Sequence, residues 1–253
     1  MLKKIKIASK VKAVVMTVLV FFSIGFIEKE NKETECADIQ VKIKNTDGNY
    51  FLDEEAVIDL VTARGKSPLI GEKLIHIELK TLETRLKKDK FVKNVQITKN
   101  LKGTLSINVI QRRPIARFLG ADSSYYLGEE GNVLPLSNRF TARVVLVSGA
   151  GIKKMFSGGV VATDSEKALF EVLDYIYHDE FFAAQIAQIE VDRKGELIMY
   201  PQVTKQAILF GSCAKHVDKL KKLRVFYDKI LPAKGWNDYE SVNLKYQGQI
   251  ICK

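Results

Sequence analysis

Residues 91–114, FVKNVQITKNLKGTLSINVIQRRP, decide the fold of the first folded part of the chain. Apolar and polar residues alternate over 95–97 and again over 105–109, on either side of a short turn at 100–103. Successive side chains of a strand point to opposite faces of a sheet, so this alternation places the apolar residues on one face. The stretch therefore predicts a β-hairpin with one apolar face.

A strand and two helices are predicted upstream of the hairpin. Residues 39–43 alternate in the same way and predict the strand. The first helix follows Asp53, a typical N-cap, and the second carries leucines at helical spacing from Leu79 to Leu86. The order strand, helix, helix, strand, strand favours an α+β domain in which two helices cover one face of a small sheet.

The second predicted domain, residues 114–253, has many short strands and two amphipathic helices. Thr163 and Glu166 form a capping-box pattern, which predicts the start of the first of these helices. The second helix has a predicted outer face that is basic, formed by Lys215, Lys219, Lys221, Lys222 and Arg224. Residues 242–246 alternate and predict a terminal strand with one inward face. The expectation is a mostly antiparallel β domain.

The run from Ala13 to Ile27, AVVMTVLVFFSIGFI, has no charge and follows a tail with five lysines. As a helix its 15 residues rise about 22 Å, short of the roughly 30 Å of a hydrocarbon core, so a single span is feasible but short. A signal peptide cleaved after Ser23-Ile24-Gly25 is the other interpretation. Both interpretations keep the lysines in the cytoplasm and place the body of the chain outside it.

Charge and motif spacing argue against several classes of function. The net charge is +10, but outside the tail 35 basic residues oppose 30 acidic ones without a clustered stripe, which disfavours nucleic-acid binding. The cysteines and histidines form no metal-binding or catalytic spacing, and a bridge between Cys213 and Cys252 stays open. The segment Gly149-Ala150-Gly151 lacks the rest of a dinucleotide fingerprint. We therefore expect no enzyme activity, cofactor, metal or small-molecule substrate.

The order of elements resembles a POTRA domain, and more narrowly that of the FtsQ/DivIB bacterial cell-division family. The resemblance rests on F-V-x-x-V at 91–95 and on the close Arg-Arg-Pro-Ile-Ala at 112–116, where Gln111 replaces an acidic residue of the family motif. The second domain is similar through Gly131 in an early hairpin and through V-N-L-K-Y at 242–246, against V-D-L-R-Y in the family.

This resemblance implies a single-pass protein of the inner (plasma) membrane at the division septum, with a cytoplasmic N-terminus and periplasmic domains. It implies binding to FtsB- and FtsL-like membrane proteins and their recruitment or regulation ahead of septal wall synthesis. The expected parts are a cytoplasmic tail (1–12), a transmembrane helix (13–27), a linker (28–37), the POTRA domain (38–113) and the C-terminal β domain (114–253).

Strand addition is the expected mode of partner binding, because a terminal strand exposes unpaired backbone groups. The predicted partner-binding residues are Asn243, Lys245, Tyr246, Gln247 and Gly248. In the opposing interpretation, 242–246 only completes the core. Three other functions remain open: a binding module released by cleavage near Gly25, a POTRA-type interaction protein of a transport system, and a periplasmic hydrolase.

Overall fold

The computed structural model describes residues 15–19, 34–44, 48–120, 124–156, 159–236 and 238–253. The chain divides into a first unit, residues 1–45 with 52–111, and a second unit, residues 46–51 with 112–253. The predicted first domain had included 46–51. Phe51 instead packs edge-on against Tyr126 (ring centroids 5.8 Å apart) and Phe140 (5.1 Å), which are aromatic residues of the second unit.

The first unit has the predicted β-α-α-β-β order, which is confirmed. Its sheet has the strand order β1-β3-β2, with β1 parallel and β2 antiparallel to β3. The elements are β1 Asp38–Lys44, α1 Glu54–Val61, a 3₁₀ turn Leu74–His76, α2 Leu79–Lys87, β2 Val92–Lys99 and β3 Thr104–Gln111.

Local chemistry explains the limits of these elements. The Oδ1 atom of Asp53 accepts a hydrogen bond from the amide of Ala56 at 2.7 Å and so caps α1. Alternate residues of β3 are buried, as the period of two predicts.

Gln111, at the end of β3, is buried, and its side-chain amide makes two hydrogen bonds with the backbone of Leu52. Its Oε1 accepts from the Leu52 amide at 3.1 Å, and its Nε2 donates to the Leu52 carbonyl at 3.5 Å. A carboxylate could not make the second bond, because it has no proton to donate.

The second unit contains a mixed nine-stranded sheet in the order β12-β11-β10-β9-β8-β7-β4-β5-β6. Its elements are β4 Pro114–Leu119, β5 Ser124–Gly128, β6 Val133–Leu134, β7 Val145–Ser148, α3 Ile152–Met155, α4 Asp164–His178, α5 Glu180–Gln185, β8 Ile186–Val191, β9 Leu197–Pro201, β10 Ala207–Gly211, α6 His216–Val225, a π-helical turn Phe226–Ile230, α7 Leu231–Lys234, β11 Ser241–Asn243 and β12 Ile251–Cys252.

The sheet is mostly antiparallel, as expected, whereas the expectation of only two helices needs correction. Among the described strands, five neighbouring pairs are antiparallel, but β4–β7, β7–β8 and β10–β11 are parallel. Parallel neighbours need a crossover, and helices stand between β7 and β8 and between β10 and β11. Besides the two predicted helices there are short ones, α3, α5 and α7, of four to six residues. Such helices are too short to display a 3.6-residue period in the sequence.

The capping box at the start of α4 is confirmed. The Thr163 hydroxyl accepts from the Glu166 amide at 3.2 Å. In return, the Glu166 carboxylate accepts from the amides of Ala162 (3.0 Å) and Thr163 (2.9 Å). The side of α4 that faces the core buries Leu169, Val172, Leu173 and Ile176.

The predicted terminal strand over 242–246 is wrong beyond Asn243. The Oδ1 atom of Asn243 accepts from the amide of Lys245 at 3.0 Å, and this local bond turns the chain out of β11. The chain then returns as β12, which lies antiparallel beside β11. The edge of the sheet is therefore β12, and Asn243 lies inside the sheet between β10 and β12.

The predicted N-terminal parts lie largely outside the described residues. The structure does not describe the tail 1–12, most of the predicted span 13–27 or most of the predicted linker 28–37. Within the predicted span, residues 15–19 are described and are helical. Of the helices in the described ranges, none has both the length and the apolar character that crossing a membrane requires.

Candidate functional site

A groove of about 480 Å³ opens at one end of the second unit. One wall is formed by residues 212–215 and the first two turns of α6, and the other by residues 244–248 in the loop between β11 and β12. We call this the lysine groove. Four of the five predicted partner-binding residues line it, Lys245, Tyr246, Gln247 and Gly248, whereas Asn243 does not. Their role in binding stays a prediction.

The side chain of Lys222 holds the loop wall of the lysine groove in place. Its Nζ atom donates to the carbonyl oxygens of Leu244 (2.9 Å), Tyr246 (2.6 Å) and Gln249 (3.2 Å). Partial burial lowers the pKa of the Lys222 ammonium, while the nearby Asp218 carboxylate acts in the opposite direction. One cation thus satisfies three backbone acceptors that would otherwise need water.

Lys219 was predicted on an exposed basic face, and this prediction is wrong. The residue is buried, its Nζ atom donates to the carbonyl of Ser212 at 2.7 Å, and it lies 5.0 Å from the centre of the Phe210 ring. Burial lowers the pKa of this ammonium. Lys219 and Lys222 stand three residues apart in α6, a helical spacing that places them on one side of the helix.

The rest of the predicted basic face is divided between other contacts. Arg224 lies 4.1 Å from the centre of the Phe181 ring and pairs with Asp228 at 3.1 Å. Lys221 is exposed. The basic residues of this helix therefore do not form one continuous solvated surface.

The loop wall combines a charged and an aromatic side chain. The Lys245 ammonium pairs with the Glu196 carboxylate. Gly211 faces it with a φ of +77°, where an added Cβ would lie 2.9 Å from the Cγ of Lys245. Tyr246 is 55% exposed. Four lysines line the groove, and three of their ammonium groups, those of Lys219, Lys222 and Lys245, are already bound inside the protein. The exposed Lys215 and the Tyr246 ring remain accessible, and with Asp218 as the carboxylate in the lining the groove keeps a net positive charge. This chemistry favours an acidic segment as its occupant.

Sequence reasoning missed the edge strand β12. Ser241 and Lys253 exchange two backbone hydrogen bonds, of 3.1 Å and 3.0 Å. Because hydrogen-bonded residues alternate with non-bonded ones in an antiparallel pair, the amide and carbonyl of Cys252 point away from β11. Within the described part of the chain, β12 has a neighbour on one side only. The apolar residues Ile250 and Ile251 after the turn-like Gln247-Gly248 were the available signal.

Two family models match separate parts of the chain. A family model described as FtsQ/DivIB, C-terminal related, matches residues 113–253, more than half of the chain. The chain therefore belongs to the FtsQ/DivIB-related family. A model described as a POTRA-like domain matches residues 34–110. The resemblance inferred from the order of the elements is confirmed.

Two curated relatives cover most of this FtsQ/DivIB-related chain. A cell division protein FtsQ of Geotalea daltonii is 24% identical over 210 residues, which are 80% of this chain and 71% of the relative. A cell division protein FtsQ of a Geobacter species is 23% identical over 208 residues, 77% of this chain and 70% of the relative.

The other residues considered in the sequence have structural contacts. The described residues contain no group of three or more His, Cys, Asp or Glu that could hold a metal ion. Cys213 is a buried free thiol, and burial raises its pKa to about 11, so it is a poor nucleophile. Gly149 and Gly151 lie against the end of β8, where added Cβ atoms would approach the carbonyls of Val191 and Asp192 to 2.3 Å and 1.8 Å. These glycines serve close packing of the backbone.

Proposed function

We propose that this chain is a bitopic cell-division protein that binds other membrane proteins of the septum. In this proposal residues 13–27 cross the inner membrane once, with the N-terminus in the cytoplasm and both units on the outer side. The protein recruits or regulates its partners ahead of septal wall synthesis. Family membership and the two relatives called cell division protein FtsQ support the division role.

The observation that carries the binding mechanism is the outer side of β12. A partner segment that adds as a further strand pairs with the outward amide and carbonyl of Cys252, two groups that β11 does not use. In this proposal β12 takes the place of the edge predicted at 243–248, because Asn243 lies inside the sheet. Backbone pairing supplies affinity, and neighbouring side chains supply specificity.

The lysine groove supplies that specificity. It lies beside the turn that leads into β12, so a segment paired with β12 passes Tyr246 and the ammonium groups. Tyr246 acts as an aromatic anchor, and a carboxylate of the partner pairs with the exposed Lys215. By resemblance, the partners are proteins of the FtsB and FtsL types.

Proline at one position separates strand addition from other modes of binding. Cys252→Pro removes an amide that points outward, and an edge strand tolerates proline there. Cys252→Ala is the matched control, because it changes the same side chain and keeps the amide. The measurement is the affinity of the full-length protein for its FtsB-type partner in detergent micelles, with the fluorescence of Trp236, the only tryptophan, as a check of folding.

We expect Cys252→Pro to weaken binding at least about tenfold, equivalent to about 1.4 kcal/mol, and Cys252→Ala to leave it nearly unchanged. Equal binding by a folded Cys252→Pro variant contradicts strand addition. The division role has its own test: depletion of the protein should produce filamentous cells, and normal septation contradicts the proposal. Membrane fractionation of the same cells tests the anchor against a released product beginning near Phe26.

A further inference from the structure

Three chain segments lie side by side at the end of the first unit that contains residues 34–37. The amide of Gly71 donates to the carbonyl of Cys36 at 2.8 Å, and that of Leu74 donates to Thr34 at 2.9 Å. On the other side, the amide of Ala37 donates to Gly103 at 2.9 Å. The segment 34–37, the loop 70–75 and the turn 100–103 therefore form one surface, which we call the entry end.

The entry end carries an unusual share of exposed aliphatic side chains. Ile70, Ile75 and Leu101 are 56%, 52% and 70% exposed. Within 34–44 and 52–111, the described folded part of the first unit, the other large apolar side chain in this class is Ile58, at 37%. Scattered exposed aliphatic residues are ordinary, but three at the same end of a small unit mark an interaction surface.

Charged side chains surround these three residues. Lys73, Lys99 and Lys102 are exposed there, together with Glu35 and Glu72. The Lys99 ammonium donates to the carbonyl of Leu74 at 2.6 Å and so braces the loop that carries Ile75. Lysine stems are apolar and their ends are charged, which suits the boundary between acyl chains and headgroups.

We propose that the entry end rests on the membrane surface, with Ile70, Ile75 and Leu101 inserted at the level of the headgroups. This inference depends on the anchor at 13–27 in the proposed function. Six residues separate Ile27 from Thr34. Even a fully extended chain therefore keeps Thr34 within about 25 Å of the end of the span, which limits how far the entry end can move from the lipid.

The contact gives the first unit a defined orientation. β2 has eight residues, with Lys99 at the entry end and Val92 at the other end. A strand of that length extends about 25 Å, so residues before β2 stand well above the headgroups when the entry end touches them. Lys88, directly after α2 and exposed, is such a residue.

Depth-dependent fluorescence quenching tests this orientation in the full-length protein. Trp236 is first replaced by Phe, and one new tryptophan is introduced, Leu101→Trp or, as the matched control, Lys88→Trp. Each variant is reconstituted into vesicles of phosphatidylethanolamine and phosphatidylglycerol that contain phosphatidylcholine with brominated acyl chains. We expect the tryptophan at 101 to be quenched at least about twofold more than that at 88. Adding Ile70→Asn and Ile75→Asn should reduce the difference.

The outcomes separate this inference from the proposed function. A chain that does not float with the vesicles contradicts the anchor, and the inference is then lost with it. A chain that floats but shows equal quenching at 101 and 88 overturns the surface contact alone and assigns the patch to a protein partner. Partner binding at β12 and septation are unaffected by that second result.

Discussion

The Nζ atom of Lys222 lies 2.6 Å from the carbonyl oxygen of Tyr246. The same ammonium also binds the carbonyls of Leu244 and Gln249, so one side chain of α6 holds both ends of the loop between β11 and β12. This loop leads into the edge strand that we propose as the binding site. The order of the edge strand therefore depends on a cation in a different element.

Lys222→Met tests this dependence. Loss of the ammonium leaves three carbonyls without their donor, and we expect the free energy of unfolding of the second unit to fall by about 1–2 kcal/mol. Amides 245–250 should exchange with solvent faster, and partner binding should weaken. Lys221→Met is the control, because Lys221 is the exposed neighbour. Lys221→Met should change the free energy of unfolding by no more than about 0.5 kcal/mol. Equal exchange in both variants contradicts the role of Lys222.

Cys213 makes the stability of the second unit sensitive to alkaline pH. Its thiol pKa rises from 9.0 to about 11 through burial, which outweighs the opposing Lys219 charge. Between these two pH values the folded chain retains a proton that the unfolded chain loses. The free energy of unfolding therefore falls as pH rises, by about 2 kcal/mol at pH 10.5 from this group alone.

Cys213→Ala should remove this part of the pH dependence. The measurement is denaturant unfolding of the full-length protein in micelles, followed by Trp236 fluorescence, at pH 8 and pH 10.5. Lys219 and Lys222 have lowered pKa values, so they favour folding as pH rises toward 10.5, but they are present in both variants. Cys36→Ala, in the first unit, is the control, and the free energy of unfolding of the second unit should still fall by the full amount between pH 8 and pH 10.5. An identical pH dependence in Cys213→Ala contradicts the assignment.

Gly151→Ala should destabilise the second unit strongly. An added Cβ would lie 1.8 Å from the carbonyl oxygen of Asp192, a backbone atom that cannot turn away like a flexible side chain. We expect a loss of about 2 kcal/mol or more in the free energy of unfolding. At Gly159 a Cβ meets nothing described within 4 Å, so Gly159→Ala serves as the control and should change stability little. A neutral Gly151→Ala variant would refute the close approach.

The capping box of α4 can be dissected one partner at a time. Thr163→Ala removes one cap acceptor, with an expected loss of about 1 kcal/mol. Glu166→Ala leaves the Ala162 and Thr163 amides without their acceptor, and we expect a larger loss of about 2 kcal/mol. Glu166→Gln keeps an acceptor oxygen, so its free energy of unfolding should lie between those of the wild type and Glu166→Ala. The check is the same Trp236 unfolding measurement, and an equal loss in all three variants is inconsistent with this geometry.

The elements that could be predicted are those whose signals are local. The hairpin over 91–114 follows from a period of two, and α4 from a capping box within four residues, because these patterns act between near neighbours in the chain. The burial of Lys219 could not be predicted from such local signals. Its partner is the carbonyl of Ser212, and a backbone acceptor leaves no mark in the sequence.

The amino-acid sequence by itself determined the element order of the first unit, the apolar run at 13–27 and the family, because periodicity, caps and motif order are properties of neighbouring residues. The tertiary structure alone decided that β12 is the edge strand and that Asn243 is internal. Only the tertiary structure shows that Phe51 packs against Tyr126. These outcomes depend on which distant segments pack together, and packing competes among many partners that local propensity does not distinguish.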